Sequence, residues 1–174
     1  RGLVGSEMCI RDSFYERLLE EARWGVNWIL RTRFGDGYRL GGLIIGIWTK
    51  NIRGDKDDMQ TEARNTPTDN LKAASSCALA APHFEKKDPV FARWCRNSAI
   101  EDFQFAIDLL DTQRTEQNET ELYALATVTA MRLYRLTQDV YYLDWATRLA
   151  RTVMAGQQLE KRTDWKIPLR GFFY

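Results

Sequence analysis

Asp55, Asp57, Asp58 and Glu62 crowd one stretch of the chain, with Trp48, Arg53 and Arg64 close by. Clustered carboxylates are the raw material of general acid and base chemistry, because unlike surroundings keep one protonated while another stays ionised. Abundance is not pairing, however, and a solvated turn has the same composition. The single histidine, His83, sits between Pro82 and Phe84 at the predicted end of a helix. There it suits the negative end of the helix dipole better than it suits a catalytic base. Cys9, Cys77 and Cys95 show no CxxC spacing and are too few for a disulfide framework. Two of them lie in apolar helical stretches and are expected to be buried hydrophobes, so the redox compartment stays open. Asn118, Glu119 and Thr120 meet the glycosylation sequon, a pattern short enough to arise by chance. The sequence has no GxxxxGK[ST] loop, no strand-borne GxGxxG, no HExxH pair and no nucleophile elbow. Phosphate, dinucleotide, zinc-protease and serine-hydrolase chemistries are therefore not expected, nor is a metal or cofactor.

The elements around these residues are helical. From Phe14 to Arg33, apolar Tyr15, Leu18, Leu19, Ala22, Val26, Ile29 and Leu30 recur at three and four, with charged residues opposite. Gly35, Asp36 and Gly37 are expected to stop that helix. A long loop then runs up to Pro67, with room for a hairpin and a β-prone piece over Leu43 to Thr49. Loops longer than about 15 residues are uncommon in compact domains and are more often functional than idle. A second helix is expected from Asp69, as N-cap, to Phe84. A third opens with Asp88 and Pro89, a fourth runs from Glu119 to Leu136, and a fifth starts at Asp139. Trp24, Trp28, Trp94 and Trp145 fall on or beside the apolar stripes, where core packing is the expectation.

The second and fourth helices are apolar nearly all round, whereas the first, third and fifth each keep a wet face. Such alternation is what inner and outer helices of two concentric layers require. Asp88, Phe91, Trp94 and Ala99 also echo Asp139, Tyr142, Trp145 and Ala150 at a constant offset of 51 residues. That period is too long for tetratricopeptide, ankyrin or HEAT arrays. It fits the hairpin of a closed toroid, so the expected class is all-α, a partial (α/α)6 toroid of roughly two and a half hairpins.

Composition narrows the partners. Lys plus Arg number 25 against 24 Asp plus Glu, so no basic field exists to hold nucleic acid or an anionic membrane. The longest apolar run, around Leu43 to Trp48, is far below the roughly 20 residues that span a bilayer. Residues 1–13 (RGLVGSEMCIRDS) show neither a signal core nor a helical period joining them to the helix expected from Phe14. They resemble translated readthrough of a sequencing adapter, as found at the edges of genes assembled from environmental reads. They are set aside as a leader, leaving 14–174 as an incomplete domain of catalytic type.

Several segments resemble glycoside hydrolase family 9, the inverting cellulase-type enzymes with an (α/α)6 barrel. Leu18 to Arg33 (LLEEARWGVNWILRTR) looks like the family's helix in which two tryptophans flank a glycine. Thr68 to Phe84 resembles its alanine-rich inner helix, and Ala124 to Ala146 its helix pair with a leucine-tyrosine-arginine run before an Asp-capped turn. The resemblance implies a carbohydrate substrate and a secreted or periplasmic home. It implies a base in an aspartate-rich motif before the first helix and an acid glutamate near the carboxyl end, motifs that do not occur here. No catalytic residue is thus expected within this sequence, which reads as a fragment. The resemblance sets the long loop at the rim of the cleft, where Trp48 would stack on a pyranose while Asp57 and Arg64 bond hydroxyls. The family's usual histidine-tryptophan pair is missing from this loop, a departure that bears on cellulose as the substrate. A toroid epimerase or polysaccharide lyase, and an α-solenoid binding module, remain the alternatives.

Overall fold

The computed structural model describes residues 3–44, 60–112, 119–160 and 170–171. Its elements are α1 (Leu3–Arg31), β1 (Arg33–Gly35), β2 (Tyr38–Ile44), β3 (Gln60–Arg64), α2 (Pro67–Phe84), α3 (Pro89–Leu110), α4 (Glu119–Thr137) and α5 (Val140–Ala155). The helix pairs α2/α3 and α4/α5 pack as hairpins, and α2 also packs directly on α4. Those two helices run side by side in the same direction. Thr129 Oγ1 lies 3.4 Å from the Leu71 carbonyl it donates to, and Arg132 Nη1 donates to Ser75 Oγ at 2.6 Å. In the outer layer α3 meets α5 through the edge-to-face pair of Phe103 and Tyr142, at 5.5 Å. Next to it, the Tyr141 hydroxyl donates to Gln104 at 3.1 Å. In an up-and-down bundle α2 and α4 would sit on a diagonal. Neighbouring parallel inner helices, each backed by its own outer helix, are instead the arrangement of a partial (α/α)6 fold.

Small side chains explain why α2 occupies the middle. Ala73, Ala74, Cys77, Ala78, Ala80 and Ala81 are all buried, so helices can approach it from several sides at once. Phe84 at its end meets Phe91 of α3 edge to face, with centroids 5.0 Å apart. Such a pair adds about 0.5–1.5 kcal/mol beyond the area it buries. Cys77 and Cys95 are both buried free thiols at the α2–α3 contact. The hydrogen bond with Cys95, together with burial, pushes the Cys77 thiol well above the ordinary range. This matches the expectation of buried hydrophobes. The burial of α4 is one-sided among the described residues, since Leu122, Ala126, Ala130 and Leu133 are covered while Val128 is exposed.

The caps are as expected for two of three helices. Asp88 accepts from the Phe91 amide at 3.0 Å and Asp139 from the Tyr141 amide at 2.9 Å, so the 51-residue echo marks equivalent helix starts. The start of α2 differs from expectation. Its N-cap is Thr66, followed by Pro67, and the Asp69 amide donates to the Thr66 hydroxyl at 3.2 Å. Asp69 is therefore the third helical residue, where its carboxylate accepts from Thr66 Oγ1 at 2.8 Å.

Three further expectations are corrected. Helix α1 begins at Leu3, not at Phe14, so one continuous helix runs through the segment set aside as a leader. Gly35, Asp36 and Gly37 do not terminate α1, which ends at Arg31. They form the β1–β2 turn, with φ of +105°, +50° and +78°. The stretch after them is an antiparallel sheet in the order β1-β2-β3, whose central strand begins at Tyr38, ahead of the β-prone piece at Leu43.

The tryptophans divide. Trp145 packs against the core beneath the Arg148 guanidinium, 4.5 Å from its ring centre. Trp24, Trp28 and Trp94 are exposed, at 75%, 56% and 59%, which overturns the core reading. Trp24 and Trp28 each lie two residues from buried Val26, about 200° round a helix of 3.6 residues per turn. No helix among the described residues is long and apolar enough to cross a membrane.

Candidate functional site

The α1–α2 connection is where the expected sugar contacts cluster, and a buried polar network fixes its base. Arg39 of β2 reaches under the end of α1. Its Nη1 donates to the Ile29 carbonyl at 2.8 Å and to Thr32 Oγ1 at 3.2 Å. The last carbonyls of a helix lack intrahelical donors, and a cation there also suits the helix dipole. The Nη2 of Arg39 pairs with Asp102 of α3, which also accepts from Ser98 at 2.9 Å. Arg33 of β1 adds an ion pair with Glu101 at 2.5 Å and a contact with Asp102 at 3.2 Å. Burial opposes the charge on Arg33, but Glu101 and Asp102 outweigh it and the guanidinium pKa is raised. The sheet is thereby bolted to α1 and α3 by charge.

The turn is fixed equally firmly. Buried Asn70 of α2 donates to the Gly37 carbonyl at 3.0 Å and to Asn65 Oδ1 at 3.1 Å. Asn65 in turn donates to the Asp36 carbonyl at 3.1 Å. A cavity of about 300 Å³ opens beside this scaffold, between α1, β2 and the first turns of α2. Trp28, Arg39, Asp69, Lys72 and Ser76 are among its lining residues. An exposed indole, a carboxylate and an ammonium around one small cavity are able to recognise a polar ligand, although Asp69 is already engaged by its capping bond with Thr66.

Of the sugar contacts expected from sequence, Arg64 is the one within the described residues. It ends β3, registers opposite Arg39 and pairs with Glu62 on the exposed side of the strand. Trp48 and Asp57 lie outside the described residues, as do Arg53, Asp55 and Asp58. Sequence reasoning passed over Arg39, Asn70 and Asp102. An isolated Asn or Asp in an apolar helical run was the available signal, but nothing local showed which partner each would find. His83 is exposed in the last turn of α2, 3.3 Å from the Tyr15 hydroxyl. Among the described residues no group of three or more His, Cys, Asp and Glu could hold a metal ion.

Parallel inner helices, each backed by an outer helix with a matching cap, define the chain as part of a double-layered α/α toroid. Comparison with known proteins gives the family. The model for glycosyl hydrolase family 9 matches residues 10–172, and the chain belongs to that family. This separates it from the epimerase, lyase and open-solenoid alternatives. A metagenome-derived glycoside hydrolase family 9 endoglucanase of known crystal structure is similar at 27% identity with a TM-score of 0.55. The match covers 78% of this chain and 27% of that one. The curated proteins contain no match.

Proposed function

We propose that this chain is part of a glycoside hydrolase that cleaves the O-glycosidic bonds of a β-linked glucan or related oligosaccharide with inversion. Inversion needs one carboxylic acid on the leaving oxygen and a second carboxylate, roughly 6.5–9.5 Å away, to activate water. We assign both to parts of a longer protein. The observation that carries the proposal is the family match over residues 10–172. The likeness to an endoglucanase, of whose length the match spans 27%, supports it. Trp48, Asp57 and Arg64 then belong to the wall that holds the sugar, with the indole under a pyranose face and the charged groups on its hydroxyls.

The test is the complete open reading frame. It should encode an aspartate-rich motif upstream of α1 and a glutamate downstream of α5, and its product should release reducing sugar from a soluble β-glucan. Trp48→Ala and Arg64→Ala should each raise KM about tenfold, the equivalent of about 1.4 kcal/mol of binding, with a smaller change in kcat. A complete protein lacking both carboxylates, or inactive on β-glucans, would exclude this function.

A further inference from the structure

We infer that the groove between α1 and α3 on the outer layer is a carbohydrate-binding site for a hexopyranose chain. The groove encloses about 390 Å³, within the roughly 300–1,000 Å³ of ligand pockets. Both of its walls are described helices, and Arg33 of β1 adds to the lining. Trp94, Asn97 and Glu101 stand at i, i+3 and i+7 on α3, facing Asn27, Leu30 and Arg31 of α1, with Arg33 next to them. Residues so spaced share one helix face.

The chemistry selects the ligand. The Trp94 side chain lines the groove yet remains 59% exposed, an apolar plate on which the C–H face of a pyranose can lie. Asn27 and Asn97 each offer a donor and an acceptor, the complement of vicinal hydroxyls. Arg33 is matched by Glu101 at 2.5 Å and by buried Asp102 at 3.2 Å, and the exposed Arg31 beside them adds donors for ring hydroxyls. Those pairs also hold the polar wall rigid before any ligand arrives. The sequence assigned Trp94 to the core, and neither the core nor the proposed cleft uses it.

The choice of a β-glucan as occupant rests on the proposed function, whereas the groove itself does not. The test is oxidation of individual tryptophans by limiting N-bromosuccinimide, read by peptide mass spectrometry, with and without a non-hydrolysable thio-linked cello-oligosaccharide. Trp94 should be protected at least fivefold, Trp24 should be unaffected, and Asn97→Ala should abolish the protection. Equal oxidation of Trp94 with and without cello-, manno- and xylo-oligosaccharides would overturn the site, even if the complete protein hydrolyses β-glucan. Protection by manno-oligosaccharide alone would uphold the groove and count against the glucan assignment, whereas protection by xylo-oligosaccharide alone would overturn a hexopyranose site.

Discussion

Arg39 and Asp102, 63 residues apart in sequence, form an ion pair in which Asp102 is 1% exposed. Removing one partner of a buried pair leaves the other charge uncompensated, at a cost of about 3–5 kcal/mol. Asp102→Ala should lower unfolding stability by that order in a denaturant titration. Replacing both residues with apolar ones of similar volume should recover most of the loss. If Asp102→Ala unfolds at the wild-type midpoint, the pair does not anchor the sheet.

The β1–β2 turn separates two causes of glycine dependence. A Cβ on Gly37 would lie 2.7 Å from Asn65 Oδ1 and 3.0 Å from Phe105 Cβ, at a φ of +78°. A Cβ on Gly35 would meet nothing within 4 Å, although its φ of +105° is also strained for an L-residue. Both alanine variants should be destabilised by at least the roughly 1 kcal/mol of backbone strain. Gly37→Ala should lose more, because Asn65 must move and release Asp36 and Asn70. Thermal melts of the two variants provide the check, and equal shifts would contradict the packing described.

Asp88 links helix capping to pH. The Phe91 amide, and then the Arg23 guanidinium at 2.6 Å, hold its carboxyl below the ordinary aspartate range. A carboxylate lowered on folding contributes stability that is complete above its unfolded value, about 3.9. That contribution is lost as pH falls through the folded value. NMR titration should therefore place Asp88 below about 3.9, and Arg23→Ala should move it part of the way back. An unshifted midpoint would remove Asp88 from the acid limb of the stability profile.

Much of the helical frame was legible because its signals are local. Asp88-Pro89 and Asp139 mark helix starts in their own sequence, and the alanine-rich run of α2 already says that neighbours crowd it. Thr66 was missed because Asp69, also a good capping type, stands inside the same first turn. The tryptophans were misplaced by phase. Trp24 and Trp28 keep helical spacing to one another but lie across the helix from Val26, and an aromatic residue reads as core until the wheel is drawn. A hairpin was foreseen in this stretch but its strands were not placed, because the glycines signal a loop while supplying the positive φ of the turn. The anchoring of Arg39 by Asp102, and of Gly37 by Asn70, depends on contacts between distant segments and has no local signature. At the site, Arg64 lies at the end of β3, opposite Arg39, a position its sequence neighbours did not signal, and Trp48 and Asp57 were singled out by the resemblance to the family rather than by their spacing.

Stereochemistry tests the central claim most directly. Proton NMR of the complete protein acting on a soluble cello-oligosaccharide resolves the anomeric signals of the first product before mutarotation mixes them. An inverting hydrolase of a β-linked glucan must release the α-anomer first. Initial release of the β-anomer, or no cleavage at all, would contradict the account.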